Sequence, residues 1–183
     1  ALLGLTSGTI NGGYNIAMGY QPMWEIQTGD KNLAIGFEAM QMIRTGTSNI
    51  AVGNETMKEV DDGADYNITL GYQAGYYIGN NDNVAIGYRA MKGSTSSGSN
   101  TGSKNIAIGY TAMESYTTAT DNVAIGRNAL GDVTTGSNNI AIGEHALSAT
   151  DGASAHNIMM GYFAGTNLKG CLLYTSPSPR DRG

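Results

Sequence analysis

Short runs of alternating polar and apolar residues recur along almost the whole chain. Each run has an asparagine, a large aliphatic residue, a small residue, a second large aliphatic residue and a glycine, as in the sequence NIAIG at 139–143. Alternation with a period of two is typical of a β-strand with one buried face. The pattern therefore predicts a short strand in every run, with the large side chains on one face and the small ones on the other.

The run occurs nine times at nearly constant spacing, which predicts a stack of structural repeats. The steps from one asparagine to the next are 17, 17, 18, 16, 22, 17, 17 and 18 residues. The repeat asparagines are Asn15, Asn32, Asn49, Asn67, Asn83, Asn105, Asn122, Asn139 and Asn157. The repeat glycines are Gly19, Gly36, Gly53, Gly71, Gly87, Gly109, Gly126, Gly143 and Gly161.

The larger side chains of each run are expected to form the core. These predicted core pairs are Ile16/Met18, Leu33/Ile35, Ile50/Val52, Ile68/Leu70, Val84/Ile86, Ile106/Ile108, Val123/Ile125, Ile140/Ile142 and Ile158/Met160. The opposite face carries alanine in seven copies, with Thr69 and Met159 in the other two. A face of small residues allows another backbone to approach closely.

The second half of each copy adds one more apolar position. A small residue followed by Met or Leu occurs in five copies, at Ala39-Met40, Ala90-Met91, Ala112-Met113, Ala129-Leu130 and Ala146-Leu147. We interpret it as a turn of helix or a bent second strand that sends an apolar anchor inward. Two copies have Ala74-Gly75 and Ala164-Gly165 instead.

A repeat of about 17 residues cannot bury its own apolar face, but stacked repeats can. The predicted fold is all-β, a parallel β-solenoid (β-roll) of about nine coils of 16–22 residues with short helical or bent turns. At about 4.8 Å per coil, the rod is roughly 40 Å long. The repeat asparagines are expected to stack as a ladder, and the Gly/Ser-rich residues 93–103 are expected to form a loop extruded from one coil.

Both ends of the chain look truncated, and we assign 1–170 to the repeat solenoid. Residues 1–8 align with 129–136, so the chain is expected to begin inside an earlier copy. After Gly170 the repeat stops, and the run from Cys171 to Asp181 resembles the translation of a sequencing-library adapter. We therefore expect 171–183 to be a disordered artefact; the alternative is a genuine irregular tail.

Composition and charge exclude several classes of function. The formal net charge is -5 without basic clusters, which argues against nucleic-acid binding. No apolar run is long enough for a membrane span. Cys171 is the only cysteine, so disulfides and thiolate metal sites are not expected within 1–170.

Candidate catalytic or metal-binding groups are few, and we predict no enzyme activity, metal or cofactor. His145 is at a variable repeat position and His156 is in a turn, and neither has a partner at ligand spacing. The acids Glu55, Glu59, Asp61, Asp62 and Asp65 surround one turn but lack the spacing of a calcium loop, so a solvated loop is favoured. A glycosidase pair formed between coils stays open as an alternative, although no pair of carboxylates stands out.

An aromatic residue follows the repeat glycine in six copies. With Trp24, these residues are candidates for stacking on sugar rings: Tyr20, Phe37, Tyr72, Tyr88, Tyr110 and Tyr162. The favoured alternative is that they cover the side of the solenoid or fill an interface between chains.

The sequences NIAIGYTAM, NVAIGRNAL and TGSNNIAIGEHAL resemble the Asn-x-Ala-Ile-Gly repeats of bacteriophage tail-fibre proteins. They are also similar to the head repeats of trimeric autotransporter adhesins, whose unit is usually shorter. Both resemblances imply a homotrimer of parallel chains, for which the small Ala/Gly face is the expected contact. The fibre family also implies a place in the virion, attachment to a host cell-surface glycan or protein, and a C-terminal chaperone domain that is cleaved off.

The function predicted from the resemblance is therefore a structural and receptor-binding segment of a trimeric tail fibre. The alternative is the head of a bacterial trimeric surface adhesin, located at the bacterial cell surface. A polysaccharide-cleaving tail spike is a less favoured third reading.

Overall fold

The computed structural model of the chain describes residues 12–60, 62–94, 99–148 and 155–166. Within these residues the regular secondary structure consists of nine three-residue strands, and none of the turns between them is an α-helix. Each strand pairs in parallel with the next one along the chain, in the order β1 to β9. The predicted parallel β-solenoid is confirmed, with about eight turns. The strands are β1 (Ile16–Met18), β2 (Leu33–Ile35), β3 (Ile50–Val52), β4 (Ile68–Leu70), β5 (Val84–Ile86), β6 (Ile106–Ile108), β7 (Val123–Ile125), β8 (Ile140–Ile142) and β9 (Ile158–Met160).

The strands keep one register even where the repeat is longest. Val84 pairs with Ile106 although 22 residues separate the two coils. In the longer coil, the backbone N–H of Ser94 donates to Oδ1 of the buried Asn100 at 3.1 Å. The predicted loop is therefore an insertion that does not interrupt the sheet; residues 95–98 lie outside the described residues.

The predicted orientation of the strands is wrong. The small residues point into the coil and the large aliphatic residues point out of it. Ala107 is fully buried, whereas its neighbour Ile106 keeps 38% of its surface exposed. In every strand the middle residue is the most buried of the three. The residues predicted as core pairs, from Ile16/Met18 to Ile158/Met160, therefore form an outer face of the sheet.

The reason for this orientation is the narrow cross-section of each coil. The turn opposite the strand sends two apolar side chains inward, such as Met40 and Ile43, and both are fully buried. Each contributes roughly 1.5–3 kcal/mol by burial, and together they leave room only for Ala or Thr at the inner position of β1 to β8. The last strand, β9, has the half-buried Met159 at this position. The predicted anchors Met40, Met91, Met113, Leu130 and Leu147 are confirmed as core residues. The second inward position was not predicted, and it is occupied by Ile26, Ile43, Val60, Ile78, Tyr116 and Val133.

The turn itself is bent rather than helical. Its backbone alternates between negative and positive φ, with φ of 53° at Glu38 and 52° at Met40. This alternation keeps the peptide groups aligned with the stacking axis. The N–H of Glu38 donates to the carbonyl of Tyr20 in the preceding coil at 2.8 Å, and the N–H of Met40 donates to that of Thr56 in the following coil at 3.0 Å. Hydrogen bonds to both neighbours offset the cost of left-handed conformations at residues with side chains.

The repeat glycines allow adjacent coils to approach closely at the end of each strand. Their φ values lie between 125° and 141°, a region that is essentially restricted to glycine. A Cβ atom on Gly126 would lie 2.5 Å from the carbonyl oxygen of Gly143 in the next coil. Both the dihedral angle and the contact therefore require glycine at this position.

The repeat asparagines form a continuous hydrogen-bonded ladder inside the solenoid. The buried Asn122 donates from Nδ2 to Oδ1 of Asn105 and to the carbonyl of Gly136 in its own coil, both at 3.0 Å. Its own Oδ1 accepts the backbone N–H of Asn139 at 2.9 Å and Nδ2 of Asn139 at 3.0 Å. One side chain therefore links three successive coils and closes its own turn.

Replacement of Gly126 by Ala should destabilise the solenoid by about 3 kcal/mol or more, because the new Cβ adds backbone strain and a contact with fixed backbone atoms. Denaturant unfolding at one protein concentration measures the change. Gly131→Ala is the matched control, since the atoms closest to its Cβ belong to the Asn128 side chain, which can rotate away. Equal losses in the two variants would contradict the close-approach explanation.

Replacement of Asn122 by Ala should cost about 2–4 kcal/mol, because it removes the buried acceptor of the backbone N–H and Nδ2 of Asn139 and the donor to the carbonyl of Gly136. Asn138→Gly is the comparison variant: Asn138 is exposed, and its φ of 60° suits glycine. We expect it to change the free energy of unfolding by less than about 0.5 kcal/mol. Similar changes in the free energy of unfolding for Asn122→Ala and Asn138→Gly would contradict the energetic importance of the ladder.

Candidate functional site

The outer face of the sheet is a continuous apolar surface, which we call the aliphatic face. It consists of the first and third residues of strands β1 to β9 and therefore has two rows of aliphatic side chains. Ile50, Ile68 and Ile106 keep 37–38% of their surface exposed. Eight steps of about 4.8 Å make this face roughly 38 Å long. An exposed apolar surface of this extent and regularity is typical of an interaction site.

The residues that follow the repeat glycines form one border of the aliphatic face, the trailing edge. They are Tyr20, Phe37, Asn54, Tyr72, Tyr88, Tyr110, Arg127, Glu144 and Tyr162. Three consecutive tyrosine rings stack on one another, with centroid distances of 5.4 Å between Tyr72 and Tyr88 and 4.8 Å between Tyr88 and Tyr110. Tyr20 and Phe37 form a second stack with a centroid distance of 5.1 Å.

This stacking bears on the proposed contact with sugars. Sugar binding by aromatic residues uses the face of the ring, and both faces of Tyr88 are covered by Tyr72 and Tyr110. The ring edges remain exposed, as the 40% exposure of Tyr88 shows. Trp24 is half-buried on the turn and belongs to neither stack. The structure therefore groups five of the candidate aromatics into two stacks and leaves Trp24 and Tyr162 outside them.

The residues that precede the repeat asparagines form the opposite border, the leading edge. They are Tyr14, Lys31, Ser48, Tyr66, Asp82, Lys104, Asp121, Asn138 and His156. Each has a positive φ between 56° and 62°. This left-handed corner turns the chain into the strand while the side chain stays outside the coil; eight of the nine, all but Ser48, are exposed. Sequence reasoning missed this edge, although every copy has a polar or aromatic residue there.

The predicted acidic cluster is distributed among separate partners. The carboxylate of Glu38 lies 2.7 Å from Nζ of Lys58, and that of Glu55 lies 3.9 Å from the same atom. Glu59 accepts a hydrogen bond from the hydroxyl of Tyr76 at 2.9 Å. Elsewhere, Asp65 accepts the backbone N–H of Thr47. These contacts are typical of a surface that stabilises adjacent coils.

Two pKa shifts follow from this network. Burial lowers the pKa of Lys58, but its hydrogen bond to Glu38 and the charges of Glu38, Glu55 and Glu59 outweigh burial and raise it overall. Burial, assisted by Glu59, raises the pKa of the Tyr76 hydroxyl. Both groups therefore keep their protons at neutral pH.

No described group of three or more His, Cys, Asp or Glu side chains is placed to hold a metal ion; Asp61 lies outside the described residues. His145 stacks on Phe163 with a centroid distance of 4.7 Å, and its Nδ1 lies 3.1 Å from Nδ2 of Asn128. His156 is exposed on the leading edge. The structure does not bring the two histidines together with a carboxylate.

Comparisons with protein-family models, with curated proteins and with solved structures found no match to this chain. In the described part of the chain there is no helix of the length and hydropathy needed to cross a membrane. The function is therefore inferred from the aliphatic face, its two edges and the repeat itself.

Proposed function

We propose that the chain is a structural and receptor-binding segment of a trimeric bacteriophage tail fibre. The observation that carries this proposal is the aliphatic face, which runs through all nine strands and is left partly exposed by the described residues. A solenoid that leaves two rows of Ile, Val and Leu in water needs a partner along its whole length. A second and a third copy of the same chain supply that partner.

Self-association is favoured because the aliphatic face repeats at the spacing of the coils. A parallel copy offers side chains with the same period of about 4.8 Å, so every strand finds an equivalent contact. The contact in this proposal is the aliphatic face and not the small Ala/Gly face that the sequence favours, since that face is buried inside each coil. Three chains are proposed, rather than two, from the resemblance of the repeat to tail-fibre repeats.

In this proposal the function is mechanical and geometric. The asparagine ladder and the sheet give stiffness, while the turns on the far side of each coil vary in sequence and length without disturbing the stack. These turns are the surface that we propose binds a cell-surface glycan or protein. We propose no catalytic role, since the acids Glu38, Glu55 and Glu59 have structural partners.

Replacement of Ile125 by Glu should abolish the trimer. Ile125 is half-buried on the aliphatic face, at the end of β7, so the single chain tolerates a polar side chain there. In a trimer the change brings three carboxylates into an apolar interface, which should weaken assembly by at least about 100-fold. Sedimentation equilibrium measures the association, and circular dichroism verifies that the solenoid is folded.

The matched control is Thr118→Glu, which adds the same charge to an exposed turn on the far side of the coil. It should assemble like the parent chain. A parent chain that is monomeric at all concentrations, or an Ile125→Glu variant that assembles normally, would contradict the proposed trimer.

Sequencing of the source DNA through the codon for Gly170 should distinguish the tail fibre from the adhesin. We expect further Asn-x-Ala-Ile-Gly repeats followed by a chaperone-like domain. Repeats that lead into a coiled coil and a membrane-embedded barrel would instead identify a bacterial surface adhesin.

A further inference from the structure

The leading and trailing edges of one coil lie at the same level of the stack, on opposite sides of the aliphatic face. Asp121 and Arg127 occupy these two positions around β7. Six residue steps of nearly extended chain separate their Cα atoms by roughly 20 Å, which is too far for an ion pair within one chain. Any contact between them must therefore join two chains.

Symmetry determines which edges meet. The strands run across the stacking axis, so rotation about an axis parallel to the stack brings the leading edge of one copy beside the trailing edge of the next. Equivalent coils then lie at the same level. Antiparallel packing of two copies brings leading edge to leading edge and pairs coils from opposite ends of the stack.

We propose that the two edges set the register of the homotrimer, with Arg127 of each copy paired with Asp121 of the neighbouring copy. This inference rests on the proposed function, because it needs parallel copies around one axis. Beyond the proposed function, it names the residues that select the alignment of the chains, because the aliphatic face alone does not determine that alignment. Two rows of similar aliphatic side chains fit almost equally well when one copy is shifted by one coil.

The charges of the two edges support an unshifted alignment. At the same level, Tyr110 of the trailing edge faces Lys104 of the leading edge, Tyr88 faces Asp82, and Arg127 faces Asp121. A tyrosine accepts a cation near its ring and donates its hydroxyl to a carboxylate. None of the nine same-level pairings on the described edges brings together two charges of the same sign.

An alignment shifted by one coil loses this complementarity. When one copy of the closed trimer is displaced by one coil, its two junctions shift in opposite directions. At one junction Arg127 faces Lys104 and Glu144 faces Asp121, so two like-charge contacts arise. At the other junction Arg127 faces Asn138, and the ion pair is lost. Repulsion between like charges is a common means of excluding a wrong alignment.

In the single chain, the side chains of Asp121 and Arg127 can still bind a partner on a neighbouring copy. The carboxylate of Asp121 is exposed and forms no hydrogen bond or ion pair with another described residue. Arg127 donates from one guanidinium nitrogen to Glu144 in the next coil, and that hydrogen bond raises the pKa of Arg127. The other guanidinium nitrogens are directed to no described partner and can bind a second carboxylate.

Cysteine cross-linking tests the register directly. In the full chain with Cys171→Ser, the pair Asp121→Cys and Arg127→Cys should give a covalent trimer with a short bifunctional thiol reagent on a denaturing gel. The pair Lys104→Cys and Arg127→Cys places the thiols one coil out of register and is the matched control, expected to give little product. Cross-linking of the control pair in preference to the first would overturn the proposal, as would a product that stops at the dimer.

Charge reversal provides a second measurement, made in the Glu144→Gln background so that Arg127 variants lose no partner within their own chain. Asp121→Arg or Arg127→Asp alone should raise the concentration of half-assembly by roughly tenfold, because three like-charge contacts form at once. The double variant restores opposite charges at each junction and should return to the parent value. Since the two residues cannot meet within one chain, recovery by the double variant identifies a contact between chains.

The two proposals fail in different ways. If the parent chain sediments as a monomer, both the proposed trimer and the proposed register are wrong. If the parent chain is a trimer, but single charge reversal does not change its assembly and the edge cysteines do not cross-link, the proposed trimer stands and the proposed contact between the edges is wrong.

Discussion

The amide of the repeat asparagine is the interaction on which the rest of the solenoid depends. Its nitrogen donates along the stack and across its own coil, and its oxygen accepts two N–H groups from the next coil. Aspartate cannot donate these hydrogen bonds, and glutamine is one methylene longer than the distance between coils permits. The buried amide must therefore recur once in every coil. This requirement explains why the repeat asparagine recurs at nearly constant spacing although the sequences of the turns differ.

The ladder also determines which side of the strand is inside. Because the asparagine side chain points into the coil, the middle residue of the strand does so as well, and the residues between them point outward. The coil is thin at this point, with a buried Met or Leu opposite the strand in most coils, so the inner position of β1 to β8 holds Ala or Thr. The large aliphatic residues are left on the outside. A fold that satisfies its internal hydrogen bonds in this way exposes apolar surface, which the proposed trimer would cover.

Much of the fold could be predicted from the sequence, because repeated local chemistry specifies repeated local structure. All nine strands lie where the Asn-to-Gly runs place them, and the insertion after Ser94 leaves the sheet intact. The choice of inner face could not be predicted from alternation, since a period of two is the same for either face. A prediction from hydrophobicity alone places the larger side chains inside, which is right only for a core wide enough to hold them. The core of this solenoid is narrow, and Ile43 and its equivalents on the turn already fill it. The leading edge was missed because its residues share a backbone conformation and not a chemistry, as Lys104 and Asp121 show.

The positions of the repeat are of two kinds, which explains how a chain with so few residue types could still specify the proposed trimer. Positions that face the coil interior are confined to Asn, Ala, Gly and a few apolar residues, because their contacts recur in every coil. Positions at the two edges are free of that constraint, since neither Asp121 nor Arg127 is needed to close a coil. In the proposed trimer, variation at these positions is therefore constrained by the neighbouring chain and not by the fold. A change at one edge can be matched there by a change at the other edge of the same repeat, so residues that the single chain does not need would specify the alignment of the three chains.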